Sequence, residues 1–296
     1  MPENPFAILS RSANASGLPE SPTETTVATK PPVPANAVMV YDFETVPDES
    51  RFPRPKLDPT ASSVPTLDVE QFFTVCKTVT EISKYLAKNP LSTEQYDALL
   101  VVEQRAEKPR KGVFDEIESC KAAATSAFDD WKKDCSTNPL KARIVAFGWA
   151  LGNGEIESMT ATDDSEERLI CEKFWSLVGT GRRRCGYNIT GFDDMLIGIR
   201  SILLGVEPSM KLARKKYGNH QAIDLMTLLF PNSTAQKLKD VCVALGIVIP
   251  AGADMDGSKV FDLFSAGMMG EIAAYVRSDV SVERELMWRL QSVFSE

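Results

Sequence analysis

The spacing of apolar and polar positions changes along the chain, and each change marks an element. Residues 37–46 read AVMVYDFETV, a nearly unbroken apolar run that predicts a buried strand ending at about residue 43. Pro47, Pro53, Pro55 and Pro59 follow and forbid a long regular element there. From about 66 to 134 the period becomes helical. Phe72, Val75, Cys76, Val79, Ile82 and Leu86 recur at steps of three and four. Ser92 and Gln95 form a capping box before a second helix carrying Tyr96, Leu99 and Leu100. Phe114, Ile117, Cys120, Ala124, Phe128 and Trp131 mark a third, with Pro90, Pro109 and Gly112 as breaks. The block reads as a helical insertion whose apolar stripes are packing faces. Beyond it, RIVAFGWAL (143–151), the turn GNG (152–154) and EIESMTA predict a hairpin.

Asp164 and Glu167 then open a helix carrying Leu169, Ile170, Phe174, Leu177 and Val178. RCGYN (184–188) is a short strand, and 192–204 is a helix closed by Gly205. Ser233 and Gln236 cap a helix to about 245, and the last helix runs from about 270 to 293. This order predicts an α/β architecture, a mixed central sheet flanked by helices. Residues 1–36, rich in Pro, Ser, Thr and Ala and without a hydrophobic period, read as a flexible leader.

Composition narrows the chemistry. The 296 residues are 43% hydrophobic and hold no apolar run long enough to span a bilayer. MPENPFAILS lacks the basic start and apolar core of a secretory signal, so the expectation is a cytoplasmic protein without a membrane partner. Its six cysteines are scattered and expected to be reduced. The single histidine, His220, lies among polar residues and reads as a surface or loop residue. One histidine rules out a two-His zinc site within the chain and leaves carboxylates, Tyr, Lys and Arg as the reactive groups. The net charge of −8 argues against a protein that coats nucleic acid, though not against one that handles it locally. Two basic clusters allow that: Arg182 to Arg184, and Lys211, Arg214, Lys215 and Lys216. Each is otherwise a solvated loop or helix end.

The carboxylates carry the sharper signal. Asp42 and Glu44 are two apart in a strand and project to one face. Like charges so close raise each other's pKa, and a divalent cation between them is the natural remedy. The plain alternative is an acidic strand end turning into solvent. Asp193 in GYNITGFDD (186–194) starts a helix, where the helix dipole favours an acid regardless of function. Tyr275 and Asp279 share one helix face. Asp279 can meet Asp42 and Glu44 at a metal, with Tyr275 placed to orient a water or accept its proton.

In order, Asp42-x-Glu44, Asn188-x-x-x-Phe192-Asp193 and Tyr275-x-x-x-Asp279 resemble the three motifs of the DEDD 3′–5′ exonucleases, tyrosine subclass. The chain is most similar to the predicted exonucleases related to the proofreading domain of family B DNA polymerases. QAIDLMTLL, LKDVCVALGI, MDGSKVFDL and EIAAYVRSDV share the likeness, which covers about 37–46 and 140–293. The block at 66–134 departs from it. The resemblance implies an RNase H-like domain over 37–296, interrupted by that block. It implies two Mg²⁺ or Mn²⁺ ions held by Asp42, Glu44, Asp193 and Asp279, with Tyr275 aligning the water that attacks the terminal phosphodiester. Thr45, Asn188 and Phe192 would contact the substrate, as would Lys211, Arg214 and Lys215. Asp224 ranks behind the four ligands as a neighbour of the site. The implied substrate is single-stranded nucleic acid, DNA favoured, shortened from its 3′ end. The alternatives are an RNA exonuclease with the same site, or a non-catalytic module in a replication or repair complex, docked through the helical insertion.

Overall fold

Five strands form one sheet: β1 (Val38–Pro47), β2 (Ala142–Leu151), β3 (Ile156–Thr160), β4 (Arg183–Gly186) and β5 (Ala222–Asp224). Their spatial order is β3-β2-β1-β4-β5. The pairs β1–β2 and β2–β3 are antiparallel, while β1–β4 and β4–β5 are parallel. The computed structural model describes residues 38–55, 67–89, 91–179, 182–212, 221–231, 236–250 and 255–293, which belong to one unit, Val33–Glu296. The predicted leader, His220, Arg214, Lys215 and the Ser233 cap lie outside the described residues.

The described helices are α1 (Val69–Val75), α2 (Val79–Leu86), α3 (Thr93–Arg105), α4 (Val113–Thr137), α5 (Asp164–Val178), α6 (Asp193–Leu204), α7 (Leu225–Leu229), α8 (Leu238–Ala244), α9 (Val260–Ser265) and α10 (Met269–Gln291). Alternation along β1 assigns its two faces. Met39, Tyr41 and Phe43 pack with Ile170 and Phe174 of α5 and Leu196 and Ile197 of α6. Val38 and Val40 pack on the opposite face with Val241 of α8 and Val280 and Leu286 of α10. A three-strand antiparallel half continued by two parallel strands, with helices on both faces, is an RNase H-like α/β fold.

The block between β1 and β2 has its own core, built on Phe72, Ile82, Tyr96, Leu99 and Ile117. α4 joins that core to the sheet. Its Phe128 packs with Val46, Val145, Phe261 and Tyr275, so one helix belongs to both cores. Among the described residues, no helix is long and apolar enough to cross a membrane.

Several boundaries differ from those expected. β1 runs four residues past the predicted end, to Pro47. Its alternation looks broken because two of its inward positions are carboxylates, and a bulge between Glu44 and Thr45 shifts the register against β2. The predicted first helix is two, α1 and α2. Thr78 stops one and caps the other: Glu81 donates its backbone N–H to the Thr78 hydroxyl, and its carboxylate accepts the Thr78 N–H. The spacing through Cys76 continues across this break by coincidence, and Val75 is exposed. α8 starts at Leu238, after Lys237, later than the Ser233–Gln236 cap placed it. The Ser92–Gln95 box and the αL glycine after α6, Gly205 at φ 67°, are as expected.

Candidate active site

Asp42 and Glu44 lie in the middle strand, on the face that α10 covers. Opposite Asp42 in the β1–β2 register stands Gly148. A Cβ there would lie 3.0 Å from the Val276 carbonyl oxygen and 3.0 Å from the methyls of Val276 and Val280. The missing side chain lets α10 sit directly on the sheet beside Asp42. Tyr275 and Asp279 flank Val276 on that helix, so the glycine sets their height above β1. Gly148→Val is expected to cost about 1–3 kcal/mol by overpacking and to lower any turnover of this site on the order of 10²-fold by lifting α10. Urea denaturation and rate measurement on the same protein check this; an unchanged rate would show that the height of α10 does not matter.

The outcome of that packing is an acidic centre. Asp42, Glu44 and Asp279 each place a carboxylate oxygen within 4.8 Å of the others. Asp193, in the first turn of α6, is buried at 4% exposure and interacts electrostatically with Asp42, but stands outside this tight triple. The Tyr275 hydroxyl interacts with the Asp279 carboxylate, and Tyr275 is 7% exposed. Among the described residues, none of the four carboxylates forms an ion pair with Lys or Arg.

The electrostatics follow from that crowding. Burial, then the Asp279 charge, holds Asp42 well above the usual carboxylate range. Burial and the charges of Asp42, Asp279 and Asp193 do the same to Glu44, and burial with Asp42 and Asp194 does it to Asp193. Asp279 is pushed up to about 6 by burial, against lowering by Tyr275 and Lys239. Tyr275 is raised strongly by burial and by Glu44, Asp279 and Asp42. It is therefore a neutral phenol with an O–H to donate. The donor set is all oxygen, anionic and close-set, which fits a hard divalent cation such as Mg²⁺ or Mn²⁺.

A pH dependence follows, with a sign opposite to that of ordinary surface carboxylates. Raised folded pKa values mean that the native state holds more protons than the unfolded chain between the ordinary carboxylate value and the raised one. In EDTA, thermal stability is expected to fall as pH rises from about 4 through 6, the range spanned by Asp279. Mg²⁺ or Mn²⁺ at 100 times its dissociation constant is expected to restore about 2.7 kcal/mol at neutral pH. A metal-free midpoint that rises over this range would contradict the charge crowding.

The turn that delivers Asp193 is held from behind. Asp224, at the end of β5, accepts the Asn188 N–H at 3.2 Å, the Thr190 N–H at 3.0 Å, the Thr190 hydroxyl at 2.5 Å and the Thr227 N–H at 3.1 Å. Its carboxylate is occupied by these four donors. Asn188 adopts φ 64°, the left-handed region, which asparagine tolerates better than most residues. Gly191 leaves room beside it: a Cβ there would come within 2.3 Å of the Asn188 amide oxygen and displace that side chain. Phe192 is the N-cap residue of α6 and packs against the α5-side core. The Thr45 hydroxyl is engaged, donating to the Ser136 carbonyl at 2.9 Å in the last turn of α4. Lys211 is exposed and lines, with Asn188 and Thr190, a cavity of about 820 Å³.

The Arg182–Arg184 cluster is not a free basic patch. Arg184 is fully buried in β4 and pairs with Asp194, which also accepts the Tyr41 hydroxyl at 2.9 Å. Arg182 donates to the Leu177 carbonyl. A run of three arginines looks like surface charge, but strand alternation turns the last one inward. Two residues escaped the sequence reading. Lys239 of α8 stands 5.4 Å from the Tyr275 ring centroid and donates to the Met255 carbonyl. Glu283 lies one helical turn beyond Asp279; Tyr275, Asp279 and Glu283 at steps of four were the available signal.

Fold and site together define an RNase H-like protein with a carboxylate centre on its middle strand. A family model described as predicted 3′–5′ exonuclease related to the exonuclease domain of PolB matches residues 141–293, just over half of the chain, and the chain belongs to that family. The matched segment holds Asp193, Tyr275 and Asp279. Asp42 and Glu44 lie outside it, separated by the helical block, and the fold brings them back. A family B DNA polymerase from the hyperthermophilic archaeon Pyrobaculum calidifontis is similar at 21% identity over 52% of this chain, with a TM-score of 0.44. The similar region spans 22% of that polymerase chain. A search of curated proteins finds no match.

Proposed function

We propose that this protein is a divalent-metal-dependent 3′–5′ exonuclease that removes nucleotides from the 3′ end of single-stranded DNA. The observation that carries the reading is the convergence of Asp42, Glu44 and Asp279, from two distant segments, within 4.8 Å of one another under the Tyr275 hydroxyl. Family membership supplies the reaction class. Asp42, Glu44, Asp193 and Asp279 are the residues that would hold two Mg²⁺ or Mn²⁺ ions. Such ions, when bound, supply Lewis-acid activation of water and charge neutralisation at the leaving 3′ oxygen.

The chain's own residues do the rest. Tyr275, a neutral phenol whose O–H is engaged by Asp279, accepts a hydrogen bond from the attacking water on its phenolic oxygen and aligns it. Asn188 and Thr190, fixed by Asp224, form the near wall past which a strand enters. Lys211 offers a salt-sensitive phosphate contact at that wall. Tyr275→Phe is expected to lower kcat by about 10²-fold while leaving ion affinity in place. An unchanged kcat would remove the hydroxyl from the reaction.

An RNA substrate is the second reading, because the carboxylates read phosphate and not sugar. Turnover on matched DNA and RNA strands, and on a blunt duplex, separates these. Faster shortening of single-stranded DNA supports the proposal. Faster shortening of RNA transfers it to the ribonuclease alternative.

A further inference from the structure

We propose that Glu283 is a positioning residue of the acidic centre, tying the Asp193 turn to α10 with one carboxylate oxygen and presenting the other to the ion site as a fifth negative charge. The inference rests on the reading of that centre as a divalent-cation site.

Glu283 is 2% exposed. Its Oε1 accepts the Tyr187 N–H at 2.8 Å, at the start of the turn that ends in Asp193. Its Oε2 is buried and has no hydrogen-bond partner among the described residues. That oxygen would lie 3.5 Å from a Cβ on Gly186, a position also 2.6 Å from the Tyr41 carbonyl oxygen. It therefore stands where β4 meets β1, one residue short of Asp42. Burial and the charges of Asp42, Asp279 and Asp193 all push the Glu283 carboxyl upward, which agrees with this placement beneath the cluster.

A purely structural role explains too little. Accepting one backbone N–H needs only a neutral carbonyl or hydroxyl oxygen. A full carboxylate buried among like charges, with an oxygen left over, opposes folding unless a proton or a cation compensates it. Groups that orient ligands from behind a metal change its affinity by about 10–100-fold when removed.

The test uses the full chain and Mn²⁺ alone, with binding followed by calorimetry and by the spin-resonance signal of the free ion. Glu283→Gln keeps an oxygen for Tyr187 and removes the charge. It is expected to bind Mn²⁺ about tenfold more weakly than the wild type and to melt higher in EDTA. Glu283→Asp keeps the charge and is expected to retain most of the affinity; it also stands in should the Gln variant fold poorly. Wild-type affinity in Glu283→Gln, or equal losses in the Gln and Asp variants, overturns the proposal while leaving the ion site standing. If the wild type binds no more Mn²⁺ than Asp42→Ala, the ion site itself is wrong and the proposal falls with it.

Discussion

Asp42→Asn is expected to abolish exonuclease turnover, by on the order of 10³-fold or more, and to raise the melting temperature of the metal-free protein. The two effects have one cause. Asp42 sits beneath α10 with Glu44 and Asp279 in ligand distance and Asp193 within electrostatic range. Without a cation, these charges repel in a poorly solvated place, and each holds the others' carboxyls up. Asparagine fills the same volume against Gly148 and removes one charge, which is expected to stabilise the fold by about 0.5–2 kcal/mol in EDTA. The same change removes a ligand oxyanion. Rates on a labelled strand and thermal melts with and without EDTA check both halves. A variant that loses activity and also loses stability in EDTA would mean that Asp42 serves the fold, not a strained centre.

Arg200→Met is the substitution expected to harm the fold most. Arg200 is completely buried between two acids. Its Nε and one terminal nitrogen donate to Glu167 at 2.6 Å each, and the other donates to Asp48 at 2.6 Å. Glu167 also accepts the Ile144 N–H of β2 at 2.8 Å. Burial drives the Asp48 carboxyl up, but hydrogen bonds from Ser50, Arg200 and Arg51 outweigh it and hold it at about 2. Its contribution is present above the ordinary carboxylate value and is lost as pH falls towards 2. This lies below the window in which the acidic centre acts, so acid titration separates the two. The clamp joins the end of β1, the start of β2, α5 and α6. It therefore holds Glu44 and Asp193, which sit on two of those elements, in fixed relation. Methionine would take the buried counter-charge from both carboxylates, leaving Asp48 only the half-exposed Arg51 and Glu167 only Arg143 at 3.7 Å, at a cost of about 3–5 kcal/mol. Urea denaturation measures it. The triple change with Asp48→Asn and Glu167→Gln should recover much of the loss. A single variant within about 1 kcal/mol of the wild type, in the range of an exposed pair, would contradict the clamp.

Much of the sheet was legible because its strands are apolar runs bounded by turn residues. The hairpin of β2 and β3 and the helices α5, α6 and α10 follow this rule. β5 escaped because it is three residues long, AID, and its pairing with β4 is a tertiary fact. The α1–α2 break escaped because the apolar spacing continues through it, although Thr78-x-x-Glu81 is a readable capping box. In the site, the motifs named Asp42, Glu44 and Asp279, carboxylates that the fold brings within 4.8 Å of one another, since a shared face and a shared helix turn are periodicities. What no periodicity carries is closeness across elements. Gly148 matters only because α10 lies on it. Arg184 becomes a buried partner only once β4 is placed, and Glu283 joins the centre only when its helix is docked.

The most direct measurement of the central claim is shortening of a 5′-labelled single-stranded DNA oligonucleotide by the wild-type chain with Mg²⁺ or Mn²⁺. The expected result is a ladder that grows from the 3′ end and disappears with EDTA and in Asp42→Asn. No ladder on DNA, and none on RNA under the same conditions, would contradict it and leave the acidic centre without its reaction.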